Sequence, residues 1–274
     1  MYWPALQPVD RIRRAAPTAG SPDSGHRPPL KTNMKKYLKL AAGLLPFLAG
    51  CSAMKAADAA SSPSAPQMPV ASVQAVTTED PSGYATWIAK SNELFKAAGG
   101  PDHFTHVYRG VIAGQDTGTV FAVRFADSTA ALTKSSEALM KVPERHEISD
   151  HLAAMRKLGP SILVAAVYFE GGYDNEWLFI TDMQVKDEAA YVKALGELRA
   201  AYDSHGLKDI KINAFRVIAG RSDHSHEVVM SGPNEDRIAA ALDSLTQPWM
   251  NDWLASVASL RTVVSNGVYQ EISK

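Results

Sequence analysis

The chain has 274 residues, with 28 Lys and Arg against 29 Asp and Glu and a single cysteine. Residues 1–50 hold eight of the basic and two of the acidic residues, so the remainder has 20 against 27, a net charge of −7. This acidic balance argues against nucleic-acid binding, which needs a basic surface. One cysteine excludes an internal disulfide and a multi-cysteine zinc site.

Residues 34–51 (MKKYLKLAAGLLPFLAGC) have the pattern of an export signal. Three lysines come first, an apolar run follows, and small residues precede the only cysteine, Cys51. The apolar run is too short to span a bilayer, which takes about 20 apolar residues. The ending Leu-Ala-Gly-Cys resembles the lipobox of bacterial lipoproteins, and this resemblance implies that Cys51 is lipidated and becomes the first residue of the mature protein.

The flanking segments fit that interpretation. Residues 1–33 are rich in Pro, Arg and Gly and have no apolar periodicity, so they cannot bury a core. We interpret them as a mis-annotated upstream extension with translation beginning at Met34; a genuine cytosolic extension is the alternative. Residues 34–50 then form the signal peptide, and residues 51–69, rich in Ala, Ser and Pro, form the lipidated cysteine and a flexible tether.

The lipobox resemblance also implies a location. We expect the protein in the bacterial cell envelope, with the membrane as a partner through its N-terminal lipid. An Asp after the cysteine commonly retains such lipoproteins in the inner membrane, so Ser52 favours the periplasmic face of the outer membrane. Because the mature chain is acidic, acyl chains rather than electrostatic attraction would hold it to anionic lipid.

The sequence beyond the tether contains an internal repeat. Residues 108–114 (YRGVIAG) recur as residues 215–220 (FRVIAG), with one residue fewer. A helical apolar pattern that starts at Trp87 matches one that starts at Tyr191, at an offset of 104 residues. The same order of matches in both halves indicates an internal duplication.

Helix signals repeat as well. Ser128 and Asn234 are suited to N-capping, and Pro143 and Pro248 should each break the helix that follows. Both halves therefore predict the order βαββαβ of a ferredoxin-like unit. The first repeat, 70–172, is predicted to have strands at 70–77, 104–113, 118–126 and 161–170 and helices at 83–98 and 128–157. The second, 173–274, is predicted to have strands at 176–186, 209–219, 226–231 and 261–272 and helices at 188–204 and 234–258.

A four-stranded sheet with helices on one face leaves its other face to be covered. Two sheets from one chain can cover each other, and this arrangement resembles the dimeric α/β barrel superfamily in a fused, duplicated form. The superfamily includes antibiotic-biosynthesis-monooxygenase-like and NIPSNAP-like proteins. The implied fold class is α+β, with two tandem ferredoxin-like repeats whose antiparallel sheets face each other. A short linker at 171–175 holds both halves together, so we expect the domain to be monomeric.

Two histidines form the most conspicuous polar cluster. His224 and His226 are two residues apart, and in a strand they would point to the same side and could share a metal ion. They lie in RSDHSHE (residues 221–227), which is typical of a solvated hairpin turn. We favour the turn, because the remaining metal ligands cannot be named from the sequence.

Arg109 and Arg216 occupy equivalent positions within apolar strands, where an unpaired charge should not be buried. One interpretation is that they hold an anionic ligand inside the barrel. The other is an ion pair with Glu170, Asp182 or Glu271, or an exposed position at a strand edge. We favour this second interpretation, because duplication preserves structural pairs as readily as sites.

Alternation along the strands separates the candidate ligand-binding residues into two sets. His106 and Tyr108 point away from the face that carries Arg109. Only one set can line the space between the sheets, and we favour His106 and Tyr108, with Asn213 and Phe215 opposite.

The sequence contains no Ser-His-Asp signature, phosphate-binding glycine loop or Rossmann fingerprint. We therefore predict a lipid-anchored binding or interaction protein with no identifiable catalytic centre and no cofactor. The superfamily resemblance implies a first alternative, a cofactor-independent oxygenase or isomerase with its site inside the barrel. His224 and His226 motivate a second, a metal-binding lipoprotein.

Overall fold

The computed structural model describes residues 68–100, 104–171, 175–220 and 222–274. All of them fall within one compact unit, Ser61–Lys274. The predicted upstream extension, the signal peptide, Cys51 and nearly all of the tether lie outside the described residues. Among the helices of the described ranges, none is both long and apolar enough to cross a membrane.

Each half of the described chain has four strands and three helices. The first half consists of β1 (Val70–Thr77), α1 (Pro81–Ala97), β2 (Thr105–Ile112), β3 (Val120–Ala126), α2 (Thr129–Met140), α3 (Arg145–Met155) and β4 (Lys157–Tyr168). The second consists of β5 (Trp177–Val185), α4 (Glu188–Ser204), β6 (Lys211–Gly220), β7 (His226–Gly232), α5 (Glu235–Ser244), α6 (Pro248–Val257) and β8 (Arg261–Glu271). The predicted order of elements is confirmed, including a helix broken in two in each half.

Side-chain caps fix where the helices begin. Ser128 accepts a hydrogen bond from the backbone N–H of Ala131 at 3.1 Å, and Asn234 accepts one from Arg237 at 3.0 Å. Asp80 and Asp187 cap α1 and α4 in the same way. These caps satisfy N–H groups that the first helical turn leaves without partners.

The eight strands form one closed antiparallel barrel in the order β1-β3-β2-β8-β5-β7-β6-β4. Within it, the halves contribute the ferredoxin-like sheets β4-β1-β3-β2 and β8-β5-β7-β6. Two seams join the sheets, one between β2 and β8 and one between β4 and β6. The predicted fused α/β barrel is therefore confirmed.

The helices cover the outside of the barrel. Tyr84 and Ile88 of α1 pack on Val107 and Val120 of the first sheet. In the second half, the outer cluster of α4 and its sheet includes Tyr191, Leu195, Leu198, Tyr202, Ile212 and Met230. The inward-facing side chains of the strands form a separate cluster inside the barrel, so each strand contributes to two cores.

We predict that the protein from Ser61 onward is a monomer. Both seams are paired within one chain, so no barrel edge remains to recruit a second copy. Size-exclusion chromatography with light scattering should give one chain per particle. A fragment ending at residue 172 keeps β2 and β4 without their seam partners and should self-associate. A full-length dimer that separates only on unfolding would instead indicate exchange of halves between chains.

We also predict that Asn92→Ala destabilises the first half. The buried Asn92 side chain donates to the Thr105 carbonyl at 2.8 Å and accepts from the Thr105 N–H at 2.9 Å. Its removal leaves two buried backbone groups without partners, at a cost of about 2–4 kcal/mol. Urea unfolding measures this loss. Asn251→Ala, at an exposed position on α6, is the control and should change stability by less than about 0.5 kcal/mol.

Candidate active site

A cavity of about 740 Å³ occupies the barrel interior. This volume is within the range of small-molecule sites in proteins. Most of the wall is apolar, because the inward-facing positions of the strands carry aliphatic and aromatic residues: Val73, Phe121, Val123, Phe125, Ile162, Val164, Leu178, Ile180, Phe215 and Val229.

Three of the predicted ligand-binding residues line this cavity, namely Tyr108, Asn213 and Phe215. The side-chain amide of Asn213 forms two hydrogen bonds with the backbone. It accepts one from the Glu170 N–H at 2.8 Å and donates one to the Gly171 carbonyl at 3.0 Å. Its amide therefore orders the chain after β4.

His106 shares the interior face of β2 with Tyr108 but is not part of the cavity lining. Its Nδ1 lies 3.0 Å from Oε1 of the fully buried Glu271. The Ser273 hydroxyl donates to the same oxygen and accepts from the Val107 N–H. This network fastens the end of the chain to β2.

Arg109 and Arg216 lie outside the barrel, so the hypothesis of an anionic ligand held between them is wrong. Arg109 is exposed and pairs across the sheet with Val120, whose side chain belongs to the outer core. Arg216 forms an ion pair with Glu188 at 3.1 Å. Neither predicted ion pair with Glu170, Asp182 or Glu271 forms, since those carboxylates contact other residues.

Polar side chains form one layer near an end of the cavity. Asp182 of β5 is directly opposite Glu227 of β7 on one side and Ser265 of β8 on the other. The Ser265 hydroxyl donates a hydrogen bond to Oδ2 of Asp182. Directly opposite residues in antiparallel strands place their Cβ atoms about 4.5–5.5 Å apart, so three strands build this layer together.

His224 completes the layer from the turn before β7. Its Nε2 lies 3.1 Å from Oε1 of Glu227 and 3.8 Å from Oδ1 of Asp182, and its Nδ1 lies 3.1 Å from Oδ1 of Asp223. Burial disfavours the charged ring, but the hydrogen bond to Glu227 and the charges of Asp182 and Glu227 outweigh it and raise the pKa of His224 to about 9. His224 is therefore an imidazolium at neutral pH.

Two carboxyl groups in the lining have a higher pKa than an exposed aspartate. Burial raises the pKa of Asp182, and the charge of Glu227 adds to this effect, against the opposing hydrogen bond from Ser265. Burial also raises the pKa of Asp116, which lies in the turn after β2, and the nearby charges of Asp182 and Asp223 raise it further. A carboxyl group with a raised pKa is a stronger base, once ionised, than an exposed one.

The alternative in which His224 and His226 share a metal ion does not fit the structure, because the two rings face different surroundings. His226 lies in β7 opposite Met183 of the outer core, and its Nε2 is 2.9 Å from Oε2 of Glu188. His224 precedes the strand and turns inward, so the period-two rule does not relate the two rings.

A different set of donor atoms, on Asp182, His224 and Glu227, lies within 4.8 Å of one another, a spacing that a metal ion could bridge. However, His224 must lose its proton before it can bind a metal. The pKa of about 9 shows that its present neighbours stabilise the proton instead.

Tyr269 lines the cavity next to this layer. The residue is 7% exposed, and no residue of the described ranges forms a hydrogen bond with its hydroxyl. Its ring passes Gly267, where an added Cβ would lie 3.0 Å from Cε2 of Tyr269 and 2.8 Å from Cβ of Ala113. Burial and the charges of Asp116 and Asp182 raise the pKa of Tyr269, so the phenol stays protonated.

The sequence interpretation missed the carboxylates of this site. It considered Asp182 only as an ion-pair partner for an arginine, and it did not consider Asp116 or Glu227. One signal was available for Asp182, because it is the only charge within the apolar strand WLFITDMQV. Asp116 lies in a turn, and no sequence periodicity identifies a turn residue that faces a cavity.

Comparison with known proteins gives matches only among solved structures. No protein-family model matches the chain, and no curated protein does. A structure described as a "putative monooxygenase" from Lactobacillus acidophilus NCFM is similar with a TM-score of 0.51 and 11% identity, over 74% of this chain and 93% of that chain. Another "putative monooxygenase", from Fusobacterium nucleatum, has the same TM-score and identity, over 76% of this chain and 94% of that chain.

The prediction of a binding protein without an identifiable catalytic centre is wrong. The findings that overturn it are the similar structures, which are described as enzymes, and the cavity with its perturbed acid and base groups. At 11% identity the similarity itself shows a common fold. The chain thus has the dimeric α/β barrel fold, with both halves in one polypeptide.

Proposed function

We propose that the chain is an enzyme that encloses an apolar substrate in the barrel and removes a proton from it. The observation that carries this proposal is the cavity of about 740 Å³, whose apolar wall leads to Asp182 and His224. Apolar walls exclude water from the substrate, and a poised acid and base at the end of the wall supply the chemistry.

Asp182 is the general base in this proposal. Its carboxylate lines the cavity, and the hydrogen bond from Ser265 holds Oδ2 in a fixed position. A carboxylate with a raised pKa is a stronger base, once ionised, than an exposed one. It can therefore accept a proton from a weakly acidic carbon or hydroxyl group of the substrate.

His224 supplies positive charge beside that base. Asp223 and Glu227 contact its two ring nitrogens and fix the orientation of the ring. An imidazolium held in this way stabilises the negative charge that develops on a substrate as it loses a proton. The ring therefore needs no reorientation to stabilise this charge.

The deprotonated substrate has two possible fates. If Asp182 returns the proton to a different atom, the reaction is an isomerisation. If the substrate anion instead forms a C–O bond with dioxygen as a second substrate, the resulting peroxide takes up a proton and loses water to leave a carbonyl group, and the reaction is an oxygenation. The descriptions of the two similar structures as monooxygenases favour the second fate. Both fates begin with the same proton abstraction by the chain's own carboxylate.

We further propose that this enzyme is a lipoprotein of the bacterial cell envelope, at the periplasmic face of the outer membrane. The support is the lipobox resemblance at residues 48–51, with Cys51 as the lipidated residue and Ser52 after it. The membrane is then a partner through the lipid alone.

Asp182→Asn should abolish proton abstraction. Because a positioned base contributes about 10²–10⁴-fold, we expect the rate to fall at least about 100-fold. The measurement is deuterium incorporation from D₂O into a panel of enolisable ketones and fused-ring phenols, followed by proton NMR, with oxygen uptake recorded in parallel. Asp252→Asn, on an exposed position of α6, is the matched control and should retain the full rate.

Equal exchange by Asp182→Asn and the unaltered protein would exclude Asp182 as the base. Circular dichroism of both variants shows whether a lost rate reflects lost folding. Asparagine keeps the size of the side chain and can still accept from Ser265, so we expect the barrel to persist.

The pH dependence of exchange should have two limbs. The rate should rise as Asp182 ionises, at a higher pH than an ordinary aspartate because its pKa is raised. It should fall near pH 9, where His224 loses its proton. In His224→Gln the fall near pH 9 should disappear. An unchanged upper limb in that variant would show that another group causes it.

A further inference from the structure

We propose that the substrate carries a protonated amine beside its apolar body. This inference rests on the proposed function, and it names the chemical class that the same cavity selects. Three features of the lining support it: an excess of carboxylates, a perpendicular aromatic pair and a tyrosine hydroxyl that borders the cavity.

The first feature is the charge of the lining. Four carboxylates line the cavity, those of Asp116, Asp182 and Glu227 and the largely exposed Asp223, and His224 is the one cationic group among the described lining residues. The described lining contains neither Lys nor Arg. A carboxylate ligand would add a fifth negative charge, whereas an ammonium group would relieve the repulsion that already acts between Asp116 and its neighbours.

The second feature is the aromatic pair Phe121 and Tyr269. Their ring centroids are 5.7 Å apart and the planes meet at 76°. Both residues line the cavity, and aromatic faces attract desolvated cations. An apolar wall with such a pair can hold the part of a ligand where the hydrocarbon body meets the ammonium group.

The third feature is the hydroxyl of Tyr269. Tyr269 is 7% exposed and lines the cavity, and no described residue forms a hydrogen bond with its hydroxyl. A phenol hydroxyl can donate and accept hydrogen bonds, so a ligand group in the cavity can pair with it. An ammonium N–H can donate to the phenol oxygen, and the charges of the nearby carboxylates favour that cation over an anionic acceptor.

An amine at this position would also assist the proposed reaction. The ammonium group would lie beside Asp116 and Tyr269, with the apolar body deeper in the barrel. Positive charge on nitrogen withdraws electrons from the adjacent carbon and makes its C–H bond more acidic. The proton moves from that carbon to Oδ1 or Oδ2 of Asp182, and the electron pair stays on the substrate.

The test compares three probes with one ring system. Anthracene with an aminomethyl, a hydroxymethyl or a carboxylate group differs only in charge at the polar end. Binding to the purified protein is followed by the fluorescence of the probe at pH 7. We expect the amine to bind at least about tenfold more tightly than the alcohol, and the carboxylate to bind most weakly. Added salt should narrow the difference.

Variants assign the preference to the site. Asp116→Asn and Glu227→Gln should each weaken binding of the amine several-fold and leave binding of the alcohol unchanged. Tyr269→Phe keeps the aromatic ring and removes only the hydroxyl, so it should weaken binding of the amine probe. Asp252→Asn is again the control and should leave all three affinities unchanged.

Two outcomes would overturn the inference: an alcohol that binds as tightly as the amine, or an amine preference that survives in both carboxylate variants. The proposed function fails separately, because the deuterium-exchange panel contains uncharged compounds. Deuterium exchange without a preference for the amine probe would refute only the inference that the substrate carries an amine. Amine preference without exchange on any compound, including the aminomethyl probe, would refute only the enzyme.

Discussion

Closure of the barrel is the constraint on which the other features depend. Each four-stranded sheet alone would have two unpaired edges and a bare apolar face, and both defects favour aggregation. The seams between β2 and β8 and between β4 and β6 pair these edges within one chain. The same closure removes the inner face from bulk water, and this burial raises the pKa of Asp182. Fold stability and the acid-base properties of the site therefore have one origin.

The positions of strands and helices followed from sequence, because apolar periodicity and caps such as Ser128 and Asn234 are local signals. The alignment of α1 with α4 was not predicted correctly. The predicted offset was 104 residues, but the caps Asp80 and Asp187 and the buried Tyr84 and Tyr191 show an offset of 107. An apolar stripe nearly repeats after one helical turn, so a three-residue shift preserves the pattern and hides the error.

The site could be predicted only where a regular element determines direction. Alternation along β2 and β6 was sufficient to separate the inward Tyr108 and Phe215 from the outward Arg109 and Arg216. His224 follows no such rule, because its direction depends on the path of a turn. Asp182 lies opposite Glu227 because of the register between β5 and β7, and the predicted order of elements did not specify that register.

The barrel also departs from the two-fold symmetry that its duplication suggests. At the same offset of 107 residues, Asp182 corresponds to Ala75, and Ala75 is opposite Phe121 as Asp182 is opposite Glu227. One half thus provides an apolar wall where the other provides ionisable groups. In a barrel assembled from two identical chains, every substitution would appear in both halves. Joining the copies in one chain allows each half to carry its own residues, so the two halves of the cavity wall can differ in polarity.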